Sequence, residues 1–280
     1  MAPTDRDSVR AYYASLGLRE WERLEQPADG AFEFVLTTGV LERHLPENAR
    51  ILDIGGGPGR YALWLADQGH VVSLGDLSPE QLVIARERVA GANAGATVTE
   101  IVEVDACDLS RWADECFDAA LSLGPFYHLT ARADRDAAAR ELARVVKPGG
   151  VVFVAFIPRY TFIRRTLINP EERRHLLDRE WVRRLVDDGI FQNDVPGRFN
   201  SGYGVRPEDV EPFMAGFGFS QIELLAAEGL TSGGVASLMT DLVEEGGPVF
   251  DAALRLIAET AGDPALLGAA NHLLYVGRRI

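Results

Sequence analysis

Short apolar segments alternate with amphipathic segments between residues 50 and 157. The apolar segments are predicted strands, at 50–54, 70–74, 98–104, 117–123 and 151–157. Helices are predicted between them, at 60–68, from Ser78 to 89 and at 132–146. Strands and helices that alternate at this spacing form βαβ units, with a parallel sheet covered on both faces. This alternation therefore predicts an α/β fold with a mostly parallel sheet.

Outside this region the pattern is looser. The first 45 residues look helical, and 158–201 contains helix formers, arginines and aromatic residues but no clear strand. A helix is expected after Arg206-Pro207, because proline suits the first helical position. Two further strands are predicted, at 220–227 and 272–277, with a helical stretch at 235–267 between them. No repeat, low-complexity tract or linker divides the 280 residues.

Composition excludes several classes of protein. A formal net charge of −14 repels phosphate backbones, so nucleic acid is not an expected partner. The longest apolar run, at 151–157, is too short to span a bilayer, and no apolar leader is visible in the first 20 residues. Cys107 and Cys116 lack metal-binding spacing, which argues against a zinc site and a disulfide scaffold. A cytoplasmic protein without metal or membrane contacts is expected.

The most informative motif is a glycine-rich turn between the first strand and the next helix. Gly55, Gly57 and Gly59 give GxGxG spacing, and such a turn lets a ligand approach the backbone closely. Arg60 stands where the dinucleotide fingerprint GxGxxG has its last glycine. Asp53 lies at the end of a buried strand, where a carboxylate is unfavourable unless a partner satisfies it. A ligand amino group and the loop amides would satisfy it.

Two more carboxylates follow strand ends. Asp76 lies about 20 residues beyond the glycines, where an acid accepts the ribose hydroxyls of a nucleoside cofactor. Its alternative role is a charge at a helix N-terminus. Asp105 follows the third strand and could accept from the exocyclic amine of adenine. Its alternative is a solvated loop residue, like the nearby Asp108.

These residues resemble the class I S-adenosylmethionine-dependent methyltransferases. Four segments follow the family's order and gaps: ILDIGGGPGRYALWLADQGHVVSLGDLSPEQL (51–82), VEVDACDL (102–109), FDAALSLGPFYHL (117–129) and ARVVKPGGVVFV (143–154). The resemblance is good over about 48–157 and looser, by topology, over 206–228 and 271–280. It implies a Rossmann-like, seven-stranded sheet of order 3-2-1-4-5-7-6 with strand seven antiparallel. It also implies S-adenosylmethionine as cofactor and S-adenosylhomocysteine as product.

The same resemblance divides one methyltransferase domain, 1–280, into segments. These are N-terminal helices (1–45), a cofactor-binding core (46–157), a lid insertion (158–201), further core (202–228), a second insertion (229–270) and a final strand (271–280). Both insertions leave the carboxyl side of the sheet, where ligands of open α/β sheets bind. They are therefore expected to form helical lids over the acceptor. The alternative is an oligomer interface.

Site residues follow from these placements. The expected cofactor contacts are Tyr13, Asp53, Gly55, Gly57, Gly59, Asp76, Leu77, Asp105, Ala106 and Leu123. His128 and Tyr127 follow strand four near the transferred methyl group, and they are the candidates for catalysis. A neutral imidazole with its unperturbed pKa near 6.5 could act as a general base. The alternative for His128 is a packing or capping role.

The absence of two known motifs after strand four indicates the class of methyl acceptor. After strand four there is neither the Asn/Asp-Pro-Pro-Tyr sequence of amino-methylating DNA and glutamine enzymes nor a Pro-Cys nucleophile. The segment 122–129 resembles a bacterial subgroup that acts on small molecules. We expect methyl transfer to an O, N or C nucleophile of a small-molecule metabolite, such as one of secondary metabolism. The alternatives are a nucleotide-cofactor oxidoreductase on a related fold and a cofactor-binding protein that no longer catalyses.

Overall fold

The sheet order follows the predicted one. The computed structural model describes residues 4–24, 29–95 and 97–280, so parts of the predicted N-terminal helices, at 1–3 and 25–28, lie outside the described residues. The strands are β1 (Arg50–Ile54), β2 (Val71–Asp76), β3 (Val98–Glu103), β4 (Phe117–Ser122), β5 (Val146–Pro158), β6 (Ile190–Gln192), β7 (Ser201–Val205), β8 (Phe219–Ala226) and β9 (Leu273–Arg279). Strands β3-β2-β1-β4-β5 are parallel, β9 is antiparallel to β5, and β8 is antiparallel to β9. Because β6 and β7 belong to an insertion, this is the order 3-2-1-4-5-7-6.

Helices cover the sheet and extend from it. They are α1 (Arg6–Leu16), α2 (Arg19–Glu22), α3 (Asp29–His44), α4 (Arg60–Asp67), α5 (Pro79–Gly91), α6 (Pro125–His128), α7 (Arg132–Val145), α8 (Arg159–Ile168), α9 (Arg179–Arg183), α10 (Pro207–Ala215), α11 (Thr240–Glu245), α12 (Gly247–Thr260) and α13 (Pro264–Leu267). Their starts follow the sequence signals. Ser78 caps α5 by accepting from the Gln81 backbone N–H, and Pro79 and Pro207 occupy first helical positions.

Both faces of the sheet are apolar. Along β1, Leu52 packs into the core on one face while Ile51 packs into the core on the other. The same division separates Val152 from Phe153 on β5, because successive side chains of a strand point to opposite faces. Strands buried on both sides appear in the sequence as continuous apolar runs, which is why these strands were predictable.

The first insertion was predicted to contain no clear strand, but the structure has a strand pair there. β6 and β7 pair in antiparallel fashion. β7 also pairs in parallel with the carboxyl end of β5, where Ile157 lies opposite Gly204. Three residues of β6 are too few to show a period, and the glycines interrupt the apolar pattern of β7. Those glycines are required by close packing: a Cβ on Gly204 would lie 2.7 Å from the Arg159 Cα atom. The predicted boundary at 201/202 therefore falls inside a strand.

Aromatic packing fixes this insertion to the carboxyl edge of the sheet. A cluster joins Tyr127 of α6 and Ile157 of β5 to Phe162, Phe191 and Phe199 of the insertion. The rings of Phe162 and Phe191 are stacked, with centroids 4.7 Å apart and an interplanar angle of 7°. The insertion is thus anchored above the strand ends by its own hydrophobic cluster.

The second insertion packs against the N-terminal region. Phe32 and Leu36 of α3 form a cluster with Ala236 and with Ile257 of α12. Within the described part of the chain, no helix is long and apolar enough to cross a membrane.

The cluster predicts the stability of the first insertion. Phe191 is fully buried, and Phe191→Ala should reduce the free energy of unfolding by about 3–5 kcal/mol, because it leaves a cavity between α8 and β5. Denaturant unfolding measures this change. The control is Leu177→Ala, because Leu177 lies in the same insertion and is 89% exposed. Its free energy of unfolding should stay within about 0.5 kcal/mol of the parent's. Equal effects of the two changes would contradict this packing role.

Candidate active site

The glycine-rich turn passes over the ends of β1 and β2. Gly55, Gly57 and Gly59 all have positive φ angles, of 72°, 53° and 87°, which L side chains rarely adopt. A Cβ on Gly55 would lie 2.5 Å from the Pro125 Cδ atom, and one on Gly56 would lie 2.6 Å from Oδ2 of Asp53. The turn therefore packs too closely against Pro125 and Asp53 to accommodate side chains at Gly55 and Gly56.

Asp53 is buried beneath this turn. Its side chain is 1% exposed, and Oδ2 has no hydrogen-bond partner among the residues that the structure describes. Burial, and secondly the negative charge of Asp76, raise the pKa of Asp53 to about 7. A carboxylate in this position favours a cationic or hydrogen-bond-donating ligand.

Asp76 is held by the backbone on both sides. Its Oδ2 atom accepts from the Gly57 N–H and its Oδ1 atom from the Ser78 N–H, both at 2.8 Å. Burial raises the pKa of Asp76 to about 6, although these backbone donors favour the charged form. Each oxygen keeps acceptor capacity, since a carboxylate offers about four lone-pair positions. The two proposed roles, ribose acceptor and charge at a helix start, are therefore compatible.

Asp105 has more protein partners than the sequence suggested. Its Oδ1 atom accepts from the Cys107 N–H at 2.9 Å, and its Oδ2 atom forms an ion pair with Arg6 at 2.7 Å. Arg6 also bonds to Asp134 at 2.9 Å, which fixes α1 against this loop. The predicted contact of Asp105 with adenine stays a prediction and would use the remaining lone pairs.

One cavity brings these groups together. Its lining includes every predicted site residue except Gly59: Tyr13, Asp53, Gly55, Gly57, Asp76, Leu77, Asp105, Ala106, Leu123, Tyr127 and His128. Gly59 instead stands at the start of α4, where a Cβ would lie 3.3 Å from the Leu74 Cδ1 atom. Its glycine is explained by packing and by its positive φ.

Burial gives His128 a different character from the one expected. The side chain is 5% exposed, and its Nε2 atom is hydrogen-bonded to the Tyr13 hydroxyl at 2.7 Å. Burial lowers the pKa of His128 to about 3, so the unperturbed value near 6.5 does not apply. A neutral ring with such a low pKa is a weak base. The neighbouring Tyr127 hydroxyl donates to the Leu123 carbonyl at 3.2 Å, and burial raises the pKa of that phenol.

A chain of charged groups, which the sequence patterns did not reveal, extends outward from the lining of the cavity. Arg23 and Glu33 line the cavity and form an ion pair at 2.7 Å. Although burial opposes it, the Arg23 charge holds the pKa of Glu33 below its usual value. Beyond Glu33 lie His272, with Nδ1 at 3.7 Å from the Glu33 carboxylate, and Glu228, at 2.7 Å from the same nitrogen. The sequence did contain one signal for His272. An antiparallel last strand begins at the edge of the sheet where the parallel strands end, so the residue before that strand lies near the site.

Comparisons with known proteins agree with this geometry. Residues 52–154 match a family model described as a methyltransferase domain. The methyltransferase GfsG of Streptomyces halstedii is 35% identical over 111 residues, covering 39% of this chain and 37% of that protein. A probable tRNA methyltransferase 9B of Homo sapiens is 30% identical over 207 residues, which cover 74% of this chain and 38% of that protein. The chain thus spans little more than a third of either relative.

A solved structure extends the likeness to the whole fold. The [4+2]-cyclase SpnF superposes with a TM-score of 0.63 at 20% identity, covering 99% of this chain and 97% of that one. Since one fold can serve different reactions, the function must be argued from the site.

Asp53 makes the unliganded protein sensitive to pH. Its pKa is about 7 in the folded chain and 3.8 in an unfolded one, so folding takes up a proton between these values. The stability that this group supports is present at low pH and is lost as the pH rises through 7. Asp53→Asn should therefore be more stable than the parent at pH 8, by about 1–4 kcal/mol, and nearly equal to it near pH 4.

Thermal unfolding across this pH range checks the expectation. Asp67→Asn, an exposed change on α4, is the control and should leave the stability within about 0.5 kcal/mol of the parent. A constant or reversed difference for Asp53→Asn would contradict the buried, unpartnered state of Asp53.

Proposed function

We propose that this chain, which belongs to the class I S-adenosylmethionine-dependent methyltransferases, methylates an O, N or C nucleophile of a small-molecule metabolite. The observation that carries the proposal is Asp53, a buried carboxylate with an unpartnered oxygen beside a glycine turn. An aliphatic ammonium group satisfies such a carboxylate, and the cofactor carries one.

The rest of the cavity fits the same cofactor. The remaining lone pairs of Asp76 suit two ribose hydroxyls, and Leu77 lies beside them in the lining. Asp105 and Ala106 would border the adenine. The carboxylates Asp53, Asp76 and Asp105 complement a ligand whose sulfonium and ammonium give it a net positive charge.

When bound, the cofactor supplies an electrophilic methyl group on a sulfonium. The chain's contribution is to bind, align and exclude water, which can supply several kcal/mol of the barrier in a two-substrate reaction. Leu123 and Tyr127 line the cavity wall after β4, where we place the methyl group. The Tyr13–His128 hydrogen bond holds α1 against this wall, so His128 acts as a positioning residue.

Three features support a small acceptor. The net charge of −14 opposes binding of a nucleic acid backbone. The acceptor end of the cavity is lined by Arg23, Glu33 and the Tyr127 ring, which suits a compact polar compound. The first insertion is anchored above the strand ends and packs against Tyr127, which lines the cavity. We assign the activity to the cytoplasm, because Cys107 and Cys116 are free thiols, as in reducing compartments.

The cofactor assignment predicts a binding defect. Asp76→Ala should weaken S-adenosylhomocysteine binding by more than tenfold, since hydrogen bonds to a charged acceptor are worth about 1.5–3 kcal/mol each. Titration calorimetry measures this, and the exposed Asp67→Ala serves as the control of equal charge change. Unchanged affinity in Asp76→Ala would contradict the ribose assignment.

The proposed small-molecule acceptor predicts which compounds receive a labelled methyl group. With methyl-labelled S-adenosylmethionine, the purified chain should transfer label to a compound in a small-molecule extract. It should transfer none to a tRNA preparation under the same conditions. Label in the tRNA fraction would contradict a small-molecule acceptor.

A further inference from the structure

We propose that His272, oriented by Glu228, is the base that removes the proton from a hydroxyl acceptor. This inference rests on the proposed methyltransferase function. It replaces the expectation that His128 serves as the base.

The topology brings His272 to the reaction side of the sheet. β9 is antiparallel to β5, with Leu273 opposite Phe156 near the carboxyl end of β5. His272 precedes Leu273, and Glu228 follows the carboxyl end of β8. Both residues therefore stand at the edge where the cofactor cavity opens.

Glu228 is fixed as an orienting group. It is 1% exposed, and its Oε2 atom accepts from the His272 backbone N–H at 3.1 Å and from the Ser232 hydroxyl at 3.3 Å. Its Oε1 atom bonds to the His272 Nδ1 atom at 2.7 Å. A carboxylate on one ring nitrogen sets the tautomer, with Nδ1 donating and Nε2 left as the proton acceptor. The imidazole side chain remains 23% exposed, so it is accessible to a small molecule.

His272 does not itself line the cofactor cavity, but it contacts two residues that do. Its ring contacts the Tyr127 ring, with centroids 5.8 Å apart, and its Nδ1 atom lies 3.7 Å from the Glu33 carboxylate. Tyr127 and Glu33 both line the cavity. An acceptor that enters between these two side chains meets His272 on one side and the cofactor on the other.

The surrounding charges suit a base. The groups facing His272 are Glu228, Glu33 of α3, Arg23 after α2 and the Tyr127 phenol of α6. Burial opposes the charged imidazolium, but the two carboxylates outweigh burial and Arg23, so the pKa of His272 is raised above 6.5. His128, which is buried and has no carboxylate partner among the described residues, has a pKa of about 3. His272 is therefore the stronger base of the two histidines at the site.

The chemical step is balanced by these groups. The Nε2 atom takes the proton of the acceptor hydroxyl while the hydroxyl oxygen forms a bond to the methyl carbon. The C–S bond breaks, and its electron pair stays on sulfur. The products are the methyl ether, neutral S-adenosylhomocysteine and an imidazolium stabilised by Glu228. The imidazolium then releases its proton to solvent.

A divalent cation is the competing occupant of this cluster. Glu33, Glu228 and His272 could supply three ligand atoms within 4.8 Å of one another. Arg23 already bonds to the Glu33 carboxylate and brings positive charge to the cluster. A protonatable imidazole therefore accounts for the charges without an ion, and the experiments below decide between the two.

The first experiment needs no acceptor. Nitrogen-15 NMR of the five histidines in the full chain, with S-adenosylhomocysteine bound, measures each imidazole pKa, and His272→Gln assigns the signal. We expect a His272 pKa above 6.5 with Nδ1 protonated in the neutral ring, and a pKa at least one unit lower in Glu228→Gln. A neutral ring protonated on Nε2, or a pKa indifferent to Glu228→Gln, would overturn the proposal.

The second experiment measures turnover. Catechol and a panel of phenols and alcohols are the hydroxyl probes, and iodide is a nucleophile that carries no proton. His272→Ala should lower hydroxyl methylation by roughly 10²–10⁴-fold, with partial rescue by added imidazole. Glu228→Gln should move the acidic limb of the pH–rate profile to lower pH. Iodide methylation and S-adenosylhomocysteine affinity should stay unchanged in both.

A matched control is available in the same chain. His44 bonds to Glu223, with 2.6 Å between Nε2 and Oε1, and neither residue lines the cavity. His44→Ala should leave every activity unchanged. Three results would overturn the role of His272 without affecting the proposed methyltransferase function. These are full hydroxyl turnover in His272→Ala, turnover of iodide but of no hydroxyl probe in the parent, and loss of turnover when divalent cations are chelated. Absence of cofactor binding and of all methyl transfer in the parent would contradict the proposed function itself.

Discussion

The architecture of the site depends on one unfavourable arrangement, the Asp53 carboxylate buried at the end of β1. The sheet requires apolar residues on either side of it, and Ile51, Leu52 and Ile54 supply them. The turn above must stay free of side chains, since a Cβ at Gly56 would collide with the carboxylate. Folding therefore leaves an oxygen without a partner among the described residues, and our proposal is that a cationic ligand recovers the free energy lost there. In our proposal, the position binds the cofactor for the same reason that makes it unfavourable in the empty protein.

Two histidines near the cavity show how environment decides function. His128 is enclosed by aromatic rings and bonded to the Tyr13 phenol, and burial makes its ring a weak base. The His272 side chain is partly exposed, and Glu228 and Glu33 face it and favour its charged form. The same residue type thus serves to hold one wall on one side of Tyr127 and, in our proposal, to accept a proton on the other side of the same ring. The prediction from sequence position that His128 is the base stays a prediction, and the surroundings of the two rings favour His272 in our proposal.

The parts predictable from sequence were those set by local patterns. Buried parallel strands appear as apolar runs, the GxGxG turn needs positive φ angles, and Asp76 follows its strand at the expected distance. The strand pair β6–β7 was not predictable, because its pairing depends on glycines whose need is visible only against Arg159 and Phe162. The ion pair of Arg23 with Glu33 was equally hidden, since it forms between elements without a periodic signature. The role of His272 requires the direction of β9, which the resemblance implied but the residues alone did not.

The most direct test of the central claim is the proton balance of cofactor binding. Asp53 is about half protonated at pH 7 in the empty protein, and an ammonium partner should ionise it fully. Calorimetric titration of S-adenosylhomocysteine in buffers of different ionisation enthalpy should therefore show release of roughly half a proton at pH 7. In Asp53→Asn the release should fall close to zero and the affinity should drop. Equal proton release and affinity in the two proteins would contradict the claim that Asp53 binds the cofactor's ammonium group.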